Sequence, residues 1–151
     1  MPKDASQTIT IRNKLSEIQR VENLLRGFIT KHQLPLSFVM DFTLAAEELL
    51  TNVMSYGYDD NAEHLIQLQL RCNETAITLC IKDDGRAYNP LAQPLPDVTA
   101  GVMERPIGGL GIYLVRQLMD QVEYARDDEK NILTLTKNFS PNKGNETDGM
   151  H

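Results

Sequence analysis

The stretch Glu47-Glu48-Leu49-Leu50-Thr51-Asn52 lies inside a segment that otherwise reads as a buried helix. Phe38, Phe42, Ala45, Leu49 and Val53 recur at helical spacing and form one apolar stripe. Glu48 and Asn52 stand one turn apart at the edge of that stripe, so both are expected to be half-buried beside the core. A lone Glu in such a place is more often a snorkelling or capped surface residue than a catalyst. Asn52 is odder, because the short amide of Asn competes with the helix backbone. The pair therefore needs a reason from elsewhere in the chain. The helix itself is predicted from about Ser37 to Tyr56, ending before Gly57.

Upstream, Gln7 to Arg12 alternate polar and apolar and predict a strand. Leu15, Ile18, Val21, Leu24, Leu25, Phe28 and Ile29 then predict an amphipathic helix, with Arg12, Lys14, Glu17, Arg20 and Glu22 outside or flanking it. Gln33-Leu34-Pro35 breaks that helix. Downstream, residues 64–72 and 75–82 alternate cleanly and predict a hairpin turning at Asn73-Glu74. Residues 84–109 lose periodicity and hold four prolines, Pro90, Pro94, Pro96 and Pro106. A third helix is predicted over about 110–120, and strands over 121–126 and 131–138.

The order implies an α+β fold, a two-layer sandwich with a mixed, mostly antiparallel sheet and helices on one face. One domain over residues 1–139 is expected, with a lid over about 86–107 and a disordered tail over 140–151. The 151 residues suit one compact domain, which at that size buries roughly 70% of its unfolded surface. A formal net charge of −6 argues against nucleic acid or an anionic membrane as the main partner. Cys72 and Cys80 form no CxxC pair and read as two buried thiols in a reducing compartment. With no apolar leader at the N-terminus and no membrane-length apolar run, a cytoplasmic location is expected.

Two later stretches bear on the Glu48–Asn52 pair. Lys82 to Pro90 ends a strand with Asp83-Asp84-Gly85. That is either an ordinary turn or a strand-end carboxylate facing a ligand amino group, with Gly85 permitting close approach. Gly108, Gly109 and Gly111 open a helix carrying Ile112, Val115, Leu118 and Met119 on its apolar side. Free N–H groups and the helix dipole make such a junction an anion site. The stretch lacks a P-loop Lys and follows a long loop rather than a strand, which excludes the P-loop and Rossmann patterns.

Taken in order, the three stretches resemble the GHKL ATPase superfamily and its Bergerat nucleotide fold, over about residues 8–138. Glu48 to Asn52 resembles the family's N box, Asp83-Asp84-Gly85 its D-x-G box, and Gly108 to Gly111 its second glycine box. Among short members, the chain is similar to the bacterial anti-sigma-factor serine kinases of partner-switching pathways. The similarity runs through E-E-L-L-T-N-V-M-S-Y-G-Y and E-R-P-I-G-G-L-G-I-Y-L-V-R-Q-L-M-D. Sensor histidine kinases are the nearest competitor, but His32, His64 and His151 read as structural or solvated rather than as phosphoacceptors.

The resemblance implies ATP and Mg²⁺ as cofactors. It implies Glu48 as general base, Asn52 as metal ligand, Asp83 on the adenine amino group and Gly85 beside the base. Gly108, Gly109, Leu110 and Gly111 would face phosphate, with Arg105 as a charge clamp from the lid. The implied activity is an ATP-dependent serine protein kinase acting as an anti-sigma factor. It would phosphorylate an anti-anti-sigma (STAS-type) partner and bind a sigma factor, with a homodimer as one expected form. The alternatives are a non-catalytic ATP-binding module that sequesters its partner, and a histidine-kinase-like catalytic fragment. Two departures stand out: Tyr56 occupies the position of the family's usual His, and the late-strand Gly-Thr that supports the adenine Asp is missing, leaving Asn131 or Thr134 to replace it.

Overall fold

Alternating apolar residues build five strands: β1 (Ala5–Arg12), β2 (Leu65–Cys72), β3 (Ala76–Asp83), β4 (Gln121–Asp127) and β5 (Lys130–Asn138). The computed structural model describes residues 4–92 and 109–139, and within them three α-helices, α1 (Ile18–Lys31), α2 (Ser37–Tyr56) and α3 (Gly109–Leu118). The strand order is β1-β2-β3-β5-β4, and each neighbouring pair is antiparallel. The sequence predicted a mixed, mostly antiparallel sheet; every described pair is antiparallel, and connectivity explains why no parallel pair occurs among the described strands. Two helices separate β1 from β2, which reverses the chain. The β3–α3–β4 crossover would give a parallel pair, but β5 inserts between those two strands.

Alternation puts one sheet face against the helices. Ile66, Leu68 and Leu70 of β2, Ile77, Leu79 and Ile81 of β3, and Leu133 and Leu135 of β5 are buried there. They meet Val21, Leu25, Phe28 and Ile29 of α1, Phe42, Ala45 and Leu49 of α2, and Ile112 and Val115 of α3. Each large side chain so buried contributes roughly 1.5–3 kcal/mol relative to exposure. The opposite face carries Thr8, Gln67, Gln69, Cys80, Lys82 and Thr134. Cys72 and Cys80 therefore face opposite sides of the sheet and cannot bridge. Cys72 is buried, and burial pushes its thiol pKa up, whereas Cys80 is only half-buried.

The covered face ends in one chemically distinct row. Register aligns Ile66 with Asp83, Asp83 with Asn131, and Asn131 with Arg126. A carboxylate, an amide and a guanidinium thus sit side by side where the hydrophobic rows stop.

Two local features differ from the sequence reading. Glu17 is buried rather than peripheral, because its carboxylate accepts the Arg12 N–H at 3.0 Å and pairs with the Arg12 and Arg20 guanidinium groups. The Arg12 contacts hold its carboxyl below the usual range, and the cluster ties the end of β1 to the start of α1. The stop after α1 is set before Pro35. Gln33 adopts φ of 57°, while Leu34 N–H reaches Ile29 O at 3.0 Å and Gln33 N–H reaches Thr30 O at 3.1 Å. That is a Schellman motif, with Leu34 buried as its apolar partner.

Glycine, which has no Cβ, adopts the left-handed region at less cost than any L-residue. Gln33→Gly is expected to stabilise the fold by about 0.5–1 kcal/mol, raising Tm by roughly 1–4 °C. Thermal denaturation checks it, and a lower Tm would show that Gln33 makes a compensating contact.

Candidate functional site

Helix α2 crosses the sheet so that Leu49 packs down and the flank bearing Glu48 and Asn52 turns toward α3. Both side chains are half-buried, as the wheel predicts. They touch: Asn52 Nδ2 donates to Glu48 Oε2 at 3.1 Å. That bond fixes which end of the amide faces the carboxylate and leaves Oδ1 turned to other partners.

Helix α3 begins at Gly109, and its first turn lies against the same flank. A Cβ built on Gly111 would overlap the Glu48 carboxylate. Only a hydrogen at that position lets the carboxylate and the helix N-terminus approach so closely. The fold thereby joins the stretch around Glu48 to the glycine cluster, which lies far later in the chain. Gly108 and Arg105, also singled out from the sequence, lie outside the described residues.

The other end is organised by Asp83, which is 6% exposed at the last position of β3. Its Oδ1 accepts the Gly85 N–H at 2.9 Å and Asn131 Nδ2 at 3.0 Å. Burial raises its pKa above the ordinary carboxylate value, outweighing the lowering effect of those two hydrogen bonds. Gly85 has a packing reason of its own: a Cβ there would come within 2.7 Å of Gly57 O, and Arg86 N–H donates to that carbonyl at 2.9 Å.

Between the two ends lies a cavity of about 250 Å³. Leu49, Val53, Pro90 and Leu133 supply its apolar wall, while Asn52, Asp83 and Asn131 supply polar groups. The sequence left Asn131 and Thr134 as alternatives beside Asp83, and the register decides between them. Thr134 pairs with Cys80 on the opposite sheet face, whereas Asn131 is buried directly across from Asp83. Tyr88 and Arg126 were not singled out from the sequence. Tyr88 lines the cavity near Glu48; burial, then the Glu48 charge, raises its pKa. Arg126 Nη1 donates to Gly85 O at 3.0 Å and to Asn131 Oδ1 at 3.1 Å. Of the expected lid, residues 86–92 are described, and there Arg116 of α3 donates to Leu91 O at 3.0 Å; the rest lies outside the described residues.

Of the histidines, His32 packs on Phe28, and His64 stacks on Tyr58 with ring centroids 4.1 Å apart. His64 also pairs with Asp60 at 2.9 Å and Asp84 at 3.5 Å. The Asp60 hydrogen bond raises the His64 pKa and lowers that of Asp60. These contacts brace the loop after α2 against the turn at Asp84. His151 lies outside the described residues.

Comparison with known proteins bears on what this cavity is for. Residues 8–137 match the family described as the histidine kinase-like ATPase domain. The chain belongs to this family. It is similar to the serine/threonine-protein kinase BtrW of Bordetella bronchiseptica, at 34% identity over 66% of this chain and 70% of the relative. It is also similar to the anti-sigma F factor of Clostridium novyi, at 24% identity over 70% and 73%. A third relative is the serine-protein kinase RsbW of Halalkalibacterium halodurans, at 28% identity over 66% and 62%. Among solved structures, the RsbU and RsbW domains of Rv1364c from Mycobacterium tuberculosis share the fold, with a TM-score of 0.61 at 15% identity. That match covers 88% of this chain and 32% of the other, so this chain spans about a third of it. The resemblance read from the three motifs is borne out. Membership of a histidine kinase-like ATPase family implies use of ATP. Among the described residues, no helix is long and apolar enough to cross a membrane.

A carboxyl whose folded pKa exceeds its unfolded value stabilises most below the unfolded value, and loses that contribution as pH rises through the folded one. The ionised Asp83 is thus a cost at neutral pH. Asp83→Asn is expected to melt above wild type at about pH 8, with the gap shrinking toward about pH 4 as both forms become neutral. A gap that does not change with pH would show that burial does not shift Asp83.

Proposed function

We propose that this chain is an ATP-dependent serine protein kinase of the partner-switching kind. In this reading it phosphorylates an anti-anti-sigma partner of STAS type and binds a sigma factor. The observation that carries the proposal is the meeting of Gly111 with the Glu48 carboxylate. It sets a base candidate, a metal-ligand candidate and an anion-binding helix end beside one cavity, whose far end carries Asp83. The relatives named as serine kinases and anti-sigma F factors support the same reading.

The residues divide the work by position. Both hydrogen bonds that Asp83 accepts among the described residues fall on Oδ1, so Oδ2 is the oxygen for an adenine amino group. Leu49, Val53 and Leu133 supply apolar surface for the flat base. Phosphates would meet the N–H groups of Gly109, Leu110 and Gly111, which the first turn of a helix leaves without an intrahelical partner. The glycine at 111 fits that task, since any Cβ there would fill the space. Asn52 Oδ1, free of the bond to Glu48, suits Mg²⁺, which keeps several waters and takes few protein ligands. Bound there, the ion would neutralise phosphate charge.

Glu48 then has a defined role. A serine hydroxyl from the partner gives its proton to the carboxylate, its oxygen forms a bond to the γ-phosphorus, and the bond from that phosphorus to the ADP oxygen breaks. The hydrogen bond from Asn52 holds the carboxylate in place without protonating it.

Glu48→Gln is expected to keep ATP affinity within about twofold while transfer to a partner serine falls by ~10²–10⁴. Gly111→Ala is expected to keep its fold, because the displaced group is the flexible end of Glu48, yet to lose transfer to a similar degree. The double variant should be no worse than either single one, since both remove the same positioned carboxylate. Radiolabelled transfer to co-purified partner and calorimetry with ATP and Mg²⁺ check all three. Wild-type protein that binds a partner and ATP but never transfers phosphate would leave the sequestering-module reading in its place.

A further inference from the structure

Along the covered face of β5 the alternation of Leu133 and Leu135 continues into Lys137, which the register places beside the buried Ile77. A charged residue thus stands where the pattern asks for an apolar one. Its side chain is only 16% exposed, so the ammonium has to be answered by protein groups. It donates to the carbonyl of Leu118 at 2.5 Å, pairs with Asp41 Oδ2 at 3.1 Å and lies 5.2 Å from the centre of the Phe38 ring. Leu118 ends α3, and its carbonyl is one that a helix C-terminus leaves without an intrahelical donor. Asp41 and Phe38 lie in the first two turns of α2.

The same two helices also meet where Gly111 faces the Glu48 carboxylate. Asp41 precedes Glu48 by about two turns, and Leu118 follows Gly111 by about two turns. The matched spacing makes α2 and α3 antiparallel neighbours, held at two points roughly 10 Å apart. The two points differ in kind. The glycine sets how closely the helices approach, but it does not fix their position along the axis. Ile112, Val115 and Met119 bury α3 against the core, and apolar contacts are non-directional. Asp120 donates its N–H to Thr136 O at 2.9 Å and accepts the Asn138 N–H at 2.6 Å, which fastens the turn after α3 to β5. The Lys137 ammonium carries that anchor across to α2.

We infer that Lys137 is a positioning residue: it clasps the C-terminal end of α3 to α2, and thereby sets where the N-terminal N–H groups of α3 stand against Glu48. It acts through the helix, from roughly 14 Å away along the axis, rather than by contact with nucleotide. Charge agrees with geometry, since the ammonium complements the negative end of the same helix dipole whose positive end would face phosphate. The inference rests on the nucleotide-site reading above.

The test separates the two ends of the nucleotide. Adenosine would engage the Asp83 end alone, whereas ATP with Mg²⁺ would span the cavity to α3. Both are titrated into the full chain by calorimetry. Lys137→Met keeps the stem and removes the ammonium. It is expected to weaken ATP at least about tenfold and to leave adenosine within about twofold of wild type. A residue that only stabilises the fold would weaken both ligands in step. That result, or ATP affinity within about twofold of wild type, overturns the inference. If Lys137→Met does not fold by circular dichroism, Asp41→Ala decides, because it removes the α2 half of the clasp at a side chain that is 22% exposed. It is expected to weaken ATP about threefold with adenosine unchanged, and an unchanged ATP affinity or a parallel loss overturns the inference. Wild-type protein that binds ATP no better than adenosine, or binds neither, overturns the nucleotide-site reading and this inference together. In a chain that binds ATP more tightly than adenosine, an indifferent Lys137→Met overturns this inference alone.

Discussion

A carboxylate at the edge of a hydrophobic core has to be answered by the groups around it, and at Asp83 the whole sheet takes part. An ionised group loses most of its hydration on burial, and hydrogen bonds and nearby positive charge are what can offset that loss. Here the answer comes from Gly85 on the adjoining turn, Asn131 on β5 and Arg126 on β4. That arrangement requires β5 beside β3 and β4 beyond it, which is the observed order. It also requires the register that places these residues in one row, since a slip by one residue would send Asn131 to the open face. Sheet order, strand register and the path of residues 85–88 are therefore tied to one buried charge.

Helix α2 meets a different demand, since one element serves both the core and the cavity. Phe42, Ala45 and Leu49 anchor it to the sheet, and that anchoring holds Glu48 and Asn52 steady on the adjacent flank. A site carried on a packed helix is held more closely than one on a loop, because rotamers beside a core have few alternatives. Helix α3 completes the arrangement from the other side, and Gly111 sets how near it can come.

Much of this was legible in the sequence because periodicity reports burial directly. The range of α2 and the hairpin of β2 with β3 follow from apolar spacing alone, and the half-buried edge carrying Glu48 and Asn52 follows from the same wheel. Periodicity reports which face a residue occupies and is silent on its neighbours in space. The insertion of β5 between β3 and β4 was therefore not legible, nor were the roles of Tyr88 and Arg126, whose contacts join positions about 40 residues apart or span two strands. Glu17 was misplaced for a related reason: a charged residue at a helix start reads as exposed until two arginines are found closing over it. Gln33 hid a left-handed helix stop because Pro35 offered a sufficient explanation two residues later.

The separation of Asp83 from Asn131, 48 residues, also bears on how the chain assembles during synthesis. A ribosome releases β1, α1, α2 and the β2–β3 hairpin first, and these share local contacts and most of the apolar face. At that stage, among the described residues, Asp83 has only the Gly85 amide to answer it, and the edge of β3 that will receive β5 is bare. Long-range strand pairing is the slow part of folding because the loop must close before the contacts reward it. The cavity is thus finished last, by the C-terminal hairpin, and a nascent chain holds the Glu48–Asn52 flank well before the opposite wall exists.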